Sequence, residues 1–237
     1  MIKEAFSGYQ KPSVAIDTVL MRVEDYVKVS NRQVSDKMMQ VLLVRRKDSE
    51  QWHLPGTILR LGETPRDAID RIVVNKTGNY DIHYEQLYTV ADDVNRDERG
   101  HIISIVYIGL INNNTIVDLP DTSEYEAKWF WIGKKDKEDK RYLISDEVVY
   151  NSELKYDHSK ILNDTIDRIK GKLMYTDIGF KFIGKEFTIK ELENTFVAIN
   201  ERNIPGFRRI ISNKVVGTGK MSDGKAFRPA ELYRKKE

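Results

Sequence analysis

Arg208 and Arg209 stand side by side in FRRIISNK (207–214), between Phe207 and the pair Ile210 and Ile211. In a short helix running from Pro205 to about Asn213, Phe207, Ile210 and Ile211 turn inward and anchor it, so the two guanidiniums project away. Asn213 and Lys214 lie near its end, and Arg202 and Asn203 precede it. Arginine is a forked donor that fits the O6/N7 edge of guanine in the major groove, or a phosphate. Lys220, Lys225 and Arg228 follow in a segment whose cations suit phosphates or the minor groove. Residues 202–237 hold 10 basic and 3 acidic side chains, whereas 1–152 hold 21 basic and 25 acidic. A net charge of +2 thus conceals a basic end suited to a polyanion.

A second group lies in LPGTILRLGETPRDAIDRIVVNKTG (54–78). On a helix, Ile72, Asn75 and Lys76 share one face, because only i, i+3 and i+4 positions do. Acids at that spacing would hold a divalent cation through hard oxygen ligands. Here the face offers an alkyl group, an amide and an ammonium instead.

Elements must position these groups. The first 135 residues read as strands punctuated by turns: 13–23, 38–46, 101–111 and 126–132 are rich in β-branched, aliphatic or aromatic residues. One helix interrupts them, with Thr64 as N-cap, Pro65 first, Asp67 at capping-box spacing and Gly78 as the stop. After the charged stretch 133–157 the pattern becomes helical. Ile161, Leu162, Ile166 and Ile169 form one face of 158–174. A capping box at Thr188 and Glu191 opens 188–200, which buries Ile189, Leu192, Phe196 and Val197. A hairpin with its turn at Asp223 and Gly224 closes the chain. The expected class is α+β: a mixed sheet flanked by helices over 1–157, then a winged helix-turn-helix over 158–237.

The chain has 237 residues, enough for one large or two small domains, with 40% hydrophobic and 32% charged residues as in soluble globular proteins. No apolar run approaches the ~20 residues a membrane helix needs. The first twenty residues carry no secretory pattern, so the expected compartment is the cytoplasm. With no cysteine there is neither a disulfide nor thiolate-bound zinc. His53 and His101 read as structural, since no nucleophile partner is visible.

The 54–78 stretch resembles the Nudix box, G-x5-E-x7-R-E-U-x-E-E-x-G-U with U aliphatic. The frame holds at Glu63, Arg71, Val73 and Gly78, Thr57 replaces the first glycine with Gly56 beside it, and the three helix acids become Ile72, Asn75 and Lys76. The whole chain resembles the Nudix-related transcriptional regulators, the NrtR family. KPSVAIDTVL (11–20), NRDERGHIISIVYIGLI (95–111), LMYTDIGFKFIGKEFTIKELENTF (173–196), FRRIISN (207–213) and FRPAELYR (227–234) carry that likeness. Gly206 stands where the family often has asparagine.

The resemblance implies a bacterial repressor: a non-catalytic Nudix half senses a metabolite, ADP-ribose or a related NAD metabolite or a sugar, and a homodimer binds a pseudo-palindromic operator. No cofactor or metal is expected, and no membrane. Arg45, Arg46, Arg60, Arg96 and Arg99 are the candidate diphosphate ligands. Trp52 is placed to stack on a base or pack beside the LPG turn, and Glu63 to accept a ribose hydroxyl. An active hydrolase with acids from elsewhere, such as Glu98 or Glu124, stays open as the alternative. An RNA-binding module is weaker, as there is no RNP-type strand and no KH-type GXXG loop.

Overall fold

The computed structural model describes residues 10–26, 36–72, 82–115, 123–135, 137, 141–223 and 229–237. Its centre is a mixed sheet. Strand β1 (Ser13–Tyr26) pairs antiparallel with β2 (Asp36–Arg46) and parallel with β5 (Ile102–Ile111). β4 (Ile82–Val90) forms one edge on β5, and β6 (Tyr125–Ile132), β7 (Tyr142–Ile144) and β8 (Val148–Tyr150) extend the other side. The short β3 (Gly56–Ile58) pairs with the start of β1. From Ala15 to Met21 β1 is buried on both faces, because both are covered.

On one face lies α1 (Pro65–Ile72), which packs Ala68, Ile69 and Ile72 onto Ile16. Its first turn closes as expected: Asp67 accepts from the Thr64 N–H at 2.8 Å, and the Asp67 N–H donates back to Thr64 Oγ1 at 3.2 Å. The expected stop at Gly78 lies outside the described residues.

The opposite face takes α2 (His158–Lys172) and α3 (Ile189–Asn200), with a 3-10 turn over Ile178–Phe182 between them. α2 buries the expected Ile161, Leu162, Ile166 and Ile169. The capping box of α3 is present with both reciprocal bonds. Its buried face is Leu192, Thr195, Phe196 and Ile199, whereas Ile189 and Val197 are half-buried at the rim. One continuous apolar cluster joins Val19 and Met21 of the sheet, Ile166 of α2, Phe196 of α3 and Phe207 beyond it.

α4 spans only Phe207–Ile211. Phe207 and Ile211, four apart, share the inward face, and Ile210 is exposed rather than inward as expected. Five residues turn one face only, so the third apolar side chain falls outside it. β9 (Val215–Met221) and β10 (Glu231–Lys235) form the expected hairpin. Gly224 at its turn, and Lys225 and Arg228, lie outside the described residues.

Four strands escaped the sequence reading. β4 alternates Tyr, Glu, Gln and Leu without a clean two-residue period, and β3, β7 and β8 are three residues each, too short to show a period at all.

Candidate ligand cleft and nucleic-acid interface

Where β1, β3 and the start of α2 converge, a cleft of about 180 Å³ opens. Its floor holds two buried polar side chains, Asp17 and His158. The Leu54 N–H donates to His158 Nδ1 at 2.9 Å, so the ring proton sits on Nε2, 3.7 Å from Asp17 Oδ1. Burial pushes the His158 pKa down and keeps the ring neutral. A Cβ at Gly56 would come within 2.4 Å of Asp17 Oδ1, so any larger residue there would displace the Asp17 carboxylate.

The cleft is lined by Arg46, Arg99 and Lys155, with Tyr125, Tyr156 and His53 among them. Arg99 donates to Asp97 Oδ2 at 2.6 Å, and its guanidinium lies 4.6 Å from the Tyr156 ring centroid. The Lys155 ammonium lies 5.0 Å from the same ring. Arg46 holds Asp48 in a two-pronged exposed pair at 2.9 and 2.8 Å, a surface geometry that an incoming anion can compete with at modest cost. Cations around tyrosine rings over a neutral histidine can take a phosphorylated ligand with a planar group.

Of the sequence candidates, Arg46 and Arg99 meet at this cleft. The others lie elsewhere. Arg45 is on the opposite face of β2, where Nη2 donates to Glu126 Oε2 at 2.7 Å and the guanidinium sits 4.4 Å from the Trp52 ring centroid. Trp52 is 1% exposed and edge-on to Phe130 at 4.9 Å, so it packs rather than offering a face to a base. Both Glu63 oxygens are engaged: Arg71 donates to them at 2.7 and 2.8 Å, and the Arg60 N–H donates to Oε2 at 2.9 Å. Those contacts leave Glu63 a strut of the loop before α1. Arg60 is exposed and is not among the cleft lining. The Arg96 side chain is buried and donates to both oxygens of Asp157, at 2.8 and 2.5 Å, and to Ser104 Oγ at 2.7 Å. It ties its loop to the first turn of α2.

Lys155, Tyr156, His158, Tyr125 and Asp17 were missed. The run KYDH (155–158) was a visible signal, since it concentrates titratable groups at a helix start. It reads as part of a charged linker until the fold brings it beside β1.

Among the described residues, no His, Cys, Asp and Glu cluster could hold a metal ion. Ile72, at the first position of the acid face, is buried against Ile16 and Ala68, while Asn75 and Lys76 lie outside the described residues. An alkyl group, an amide and an ammonium do not fit a Mg²⁺ site.

At the other end of the molecule, Arg208 and Arg209 project from α4 into solvent. Arg202, Asn203 and Asn213 are also exposed. Lys214 is tethered, since its Nζ donates to the Thr176 carbonyl at 3.0 Å and lies 3.6 Å from Asp177. Lys220 pairs with Glu186 at 2.7 Å on the surface. Gly206 precedes α4 with φ of 70°. This left-handed backbone suits glycine and asparagine, so glycine meets the backbone demand where the family often has asparagine.

Residues 27–147 match the NUDIX domain, and residues 179–234 match the NrtR DNA-binding winged helix domain. Across 236 residues the chain is 26% identical to the ADPR responsive transcriptional repressor NtrR of Acinetobacter baylyi, covering 96% of this chain and 84% of that protein. It is 27% identical over 159 residues to the ADP-ribose pyrophosphatase of Methanocaldococcus jannaschii, covering 66% of this chain and 74% of that one. The crystal structure of Shewanella oneidensis NrtR superposes with a TM-score of 0.67 at 24% identity, over 94% of each chain. The α1 frame with its Glu63–Arg71 strut, the sheet behind it and the helices and hairpin beyond therefore have one explanation: this chain belongs to the Nudix family, in the NrtR-type arrangement that joins a Nudix domain to a DNA-binding winged helix.

Proposed function

We propose that this protein is a transcriptional repressor whose Nudix half, residues 1–157, senses ADP-ribose or a related NAD metabolite, and whose winged helix, 158–237, reads an operator. The observation that carries the reading is the pair Arg208 and Arg209, exposed on α4, whose guanidiniums make no hydrogen bond or ion pair among the described residues. Unpartnered guanidiniums on a short helix suit base edges and phosphates. The similarity to an ADP-ribose-responsive repressor supports the choice of effector, and so does a cleft lined by Arg46, Arg99 and Lys155. The protein is non-catalytic in this reading, because Ile72, Asn75 and Lys76 replace the acids. It works in the cytoplasm as a homodimer, since one five-residue helix reads too few base pairs for specificity.

Titration calorimetry of ADP-ribose, with L-arabinose as the sugar competitor, is done with and without operator DNA. ADP-ribose binds, and saturating operator weakens it by the factor by which ADP-ribose weakens operator binding. Equal ligand affinity in both conditions removes the sensing mechanism.

The similarity to a pyrophosphatase favours a second reading, an ADP-ribose hydrolase. Turnover of ADP-ribose with Mg²⁺ or Mn²⁺ near ~10 s⁻¹, an ordinary enzyme rate, would establish it and sink the sensor.

A further inference from the structure

Among the described residues, two that are not glycine hold left-handed backbone: Tyr156 and Glu201, both at φ 59°. Tyr156 is at the cleft, two residues before α2. Glu201 ends α3, five residues before Gly206, which opens α4. Glycine or asparagine usually fills such a helix end, because a Cβ there crowds the backbone. A glutamate kept in that conformation points to a use for its carboxylate.

The carboxylate is caught from two directions. Arg141, which directly precedes β7 in the Nudix half, donates from Nη1 to Glu201 Oε1 at 2.5 Å and also to the Gly133 carbonyl at 3.0 Å. The Lys170 ammonium of α2 lies 2.7 Å from Oε2. The Arg141 side chain is 1% exposed, so its charge depends on these partners. Burial alone would raise the Glu201 carboxyl, but the Lys170 and Arg141 bonds outweigh it and hold its pKa below the usual range.

The clamp is consequential because of the chain just beyond Glu201. Arg202 and Asn203 are exposed, Ile204 returns to the core, and Gly206 turns the chain again into α4. Between α3 and α4 the chain therefore reverses through two left-handed residues, and the first is locked by side chains from the sheet and from α2. α2 is held at its other end by the Arg96–Asp157 pair beside the cleft.

We propose that Glu201 is a positioning residue for DNA recognition: the Arg141–Glu201–Lys170 clamp lets the Nudix half and α2 set the turn that aims α4. This rests on the reading of α4 as the DNA-contacting helix. The clamp acts on direction rather than on charge at the DNA, so it governs specific binding and leaves non-specific binding, which needs only cations near phosphates, untouched.

The test uses the full chain and the duplex it selects from a random-sequence pool. Glu201→Gly removes the carboxylate and suits the left-handed backbone; because it leaves the buried Arg141 without this partner, its circular dichroism and urea unfolding are matched to the wild type before binding is read. Its affinity for the selected duplex should fall by about tenfold or more, the scale of one charge-assisted bond. Affinity for a random duplex of equal length should stay within about twofold, the spread expected where only the phosphate term counts. Arg141→Met should reproduce the loss, and Arg141→Lys, which keeps a cation for Glu201, should restore part of it. If Glu201 serves only to end α3, Glu201→Gly binds the selected duplex as tightly as the wild type, and the proposal fails while the DNA reading stands. Equal losses on both duplexes overturn it as well. If the wild type selects no duplex, the DNA reading fails and the inference falls with it.

Discussion

Arg45 and Arg46 are neighbours in sequence with opposite surroundings, because successive side chains of a strand leave by opposite faces. Arg46 faces the cleft, while Arg45 covers Trp52 and pairs with Glu126. Lys155→Ala or Arg99→Ala should weaken ADP-ribose binding by about 1–3 kcal/mol, the scale of a charge-assisted hydrogen bond. Arg45→Ala should leave that binding unchanged and lower stability by ~1 kcal/mol through the lost cation–π contact. Calorimetry and urea unfolding separate the two. Glu63 makes a different statement. The hydrogen bonds from Arg71, with the Arg60 N–H, lower its pKa from 4.5 to about 2. A depressed carboxyl stabilises the folded state above its unfolded value and loses that contribution as pH falls through the folded one. Thermal midpoints of the wild type should thus decline between pH 4.5 and about 2. Glu63→Gln should flatten the decline in that window, and an unaltered profile would count against the strut.

α1 keeps a catalytic helix's frame with a packing helix's face. Ile72 is 1% exposed within the cluster around Ile16. Ile72→Glu should therefore bury a charge and cost roughly 3–5 kcal/mol of stability in urea unfolding. It should not open a metal site. Unchanged stability would mean that this face is open to solvent. α4 sorts its basic residues by what already holds them. Arg208→Ala should weaken operator binding by about 1–3 kcal/mol at unchanged stability if it contacts a base. Lys214→Ala should lower stability by ~1 kcal/mol, because it loses its bond to the Thr176 carbonyl. Anisotropy titrations beside unfolding curves distinguish them.

α2 joins the two ends of the molecule. Arg96 holds its N-terminal end through Asp157, Arg168 donates to the Leu87 carbonyl along its length, and Lys172 pairs with Glu85 of β4. Its apolar face enters the same buried cluster as the sheet and α3. A core shared this way should melt as one unit. Tryptophan fluorescence, which reports the sheet, and far-ultraviolet circular dichroism, which also reports α2 and α3, should give superimposable transitions. Two separated transitions would show a sheet and a winged helix that are stable apart. In the proposed regulator, such a shared core is the route by which a ligand at the cleft biases DNA binding at α4, by the difference in its affinity for two arrangements.

Local patterns settled much of this protein in advance. β1, β2, β5 and β6, the caps of α1 and α3 and the apolar face of α2 each depend on residues a few positions apart, and each lies where the pattern places it. The identities of Ile72, Asn75 and Lys76 and the exposed Arg208 and Arg209 belong to the same scale. The cleft was different. Asp17 and His158 are 141 positions apart, and Arg141 and Glu201 are 60 apart. No period or spacing relates such residues. Their meeting depends on which strands pair and on which face α2 packs, and so does the division of five candidate arginines into two at the cleft and three elsewhere. Composition and short-range spacing determine which residue types are present and which local element they favour. Side-chain direction, burial and partners come from long-range packing, and those decided which charge faces the cleft, which braces a loop and which ties α2 to the sheet.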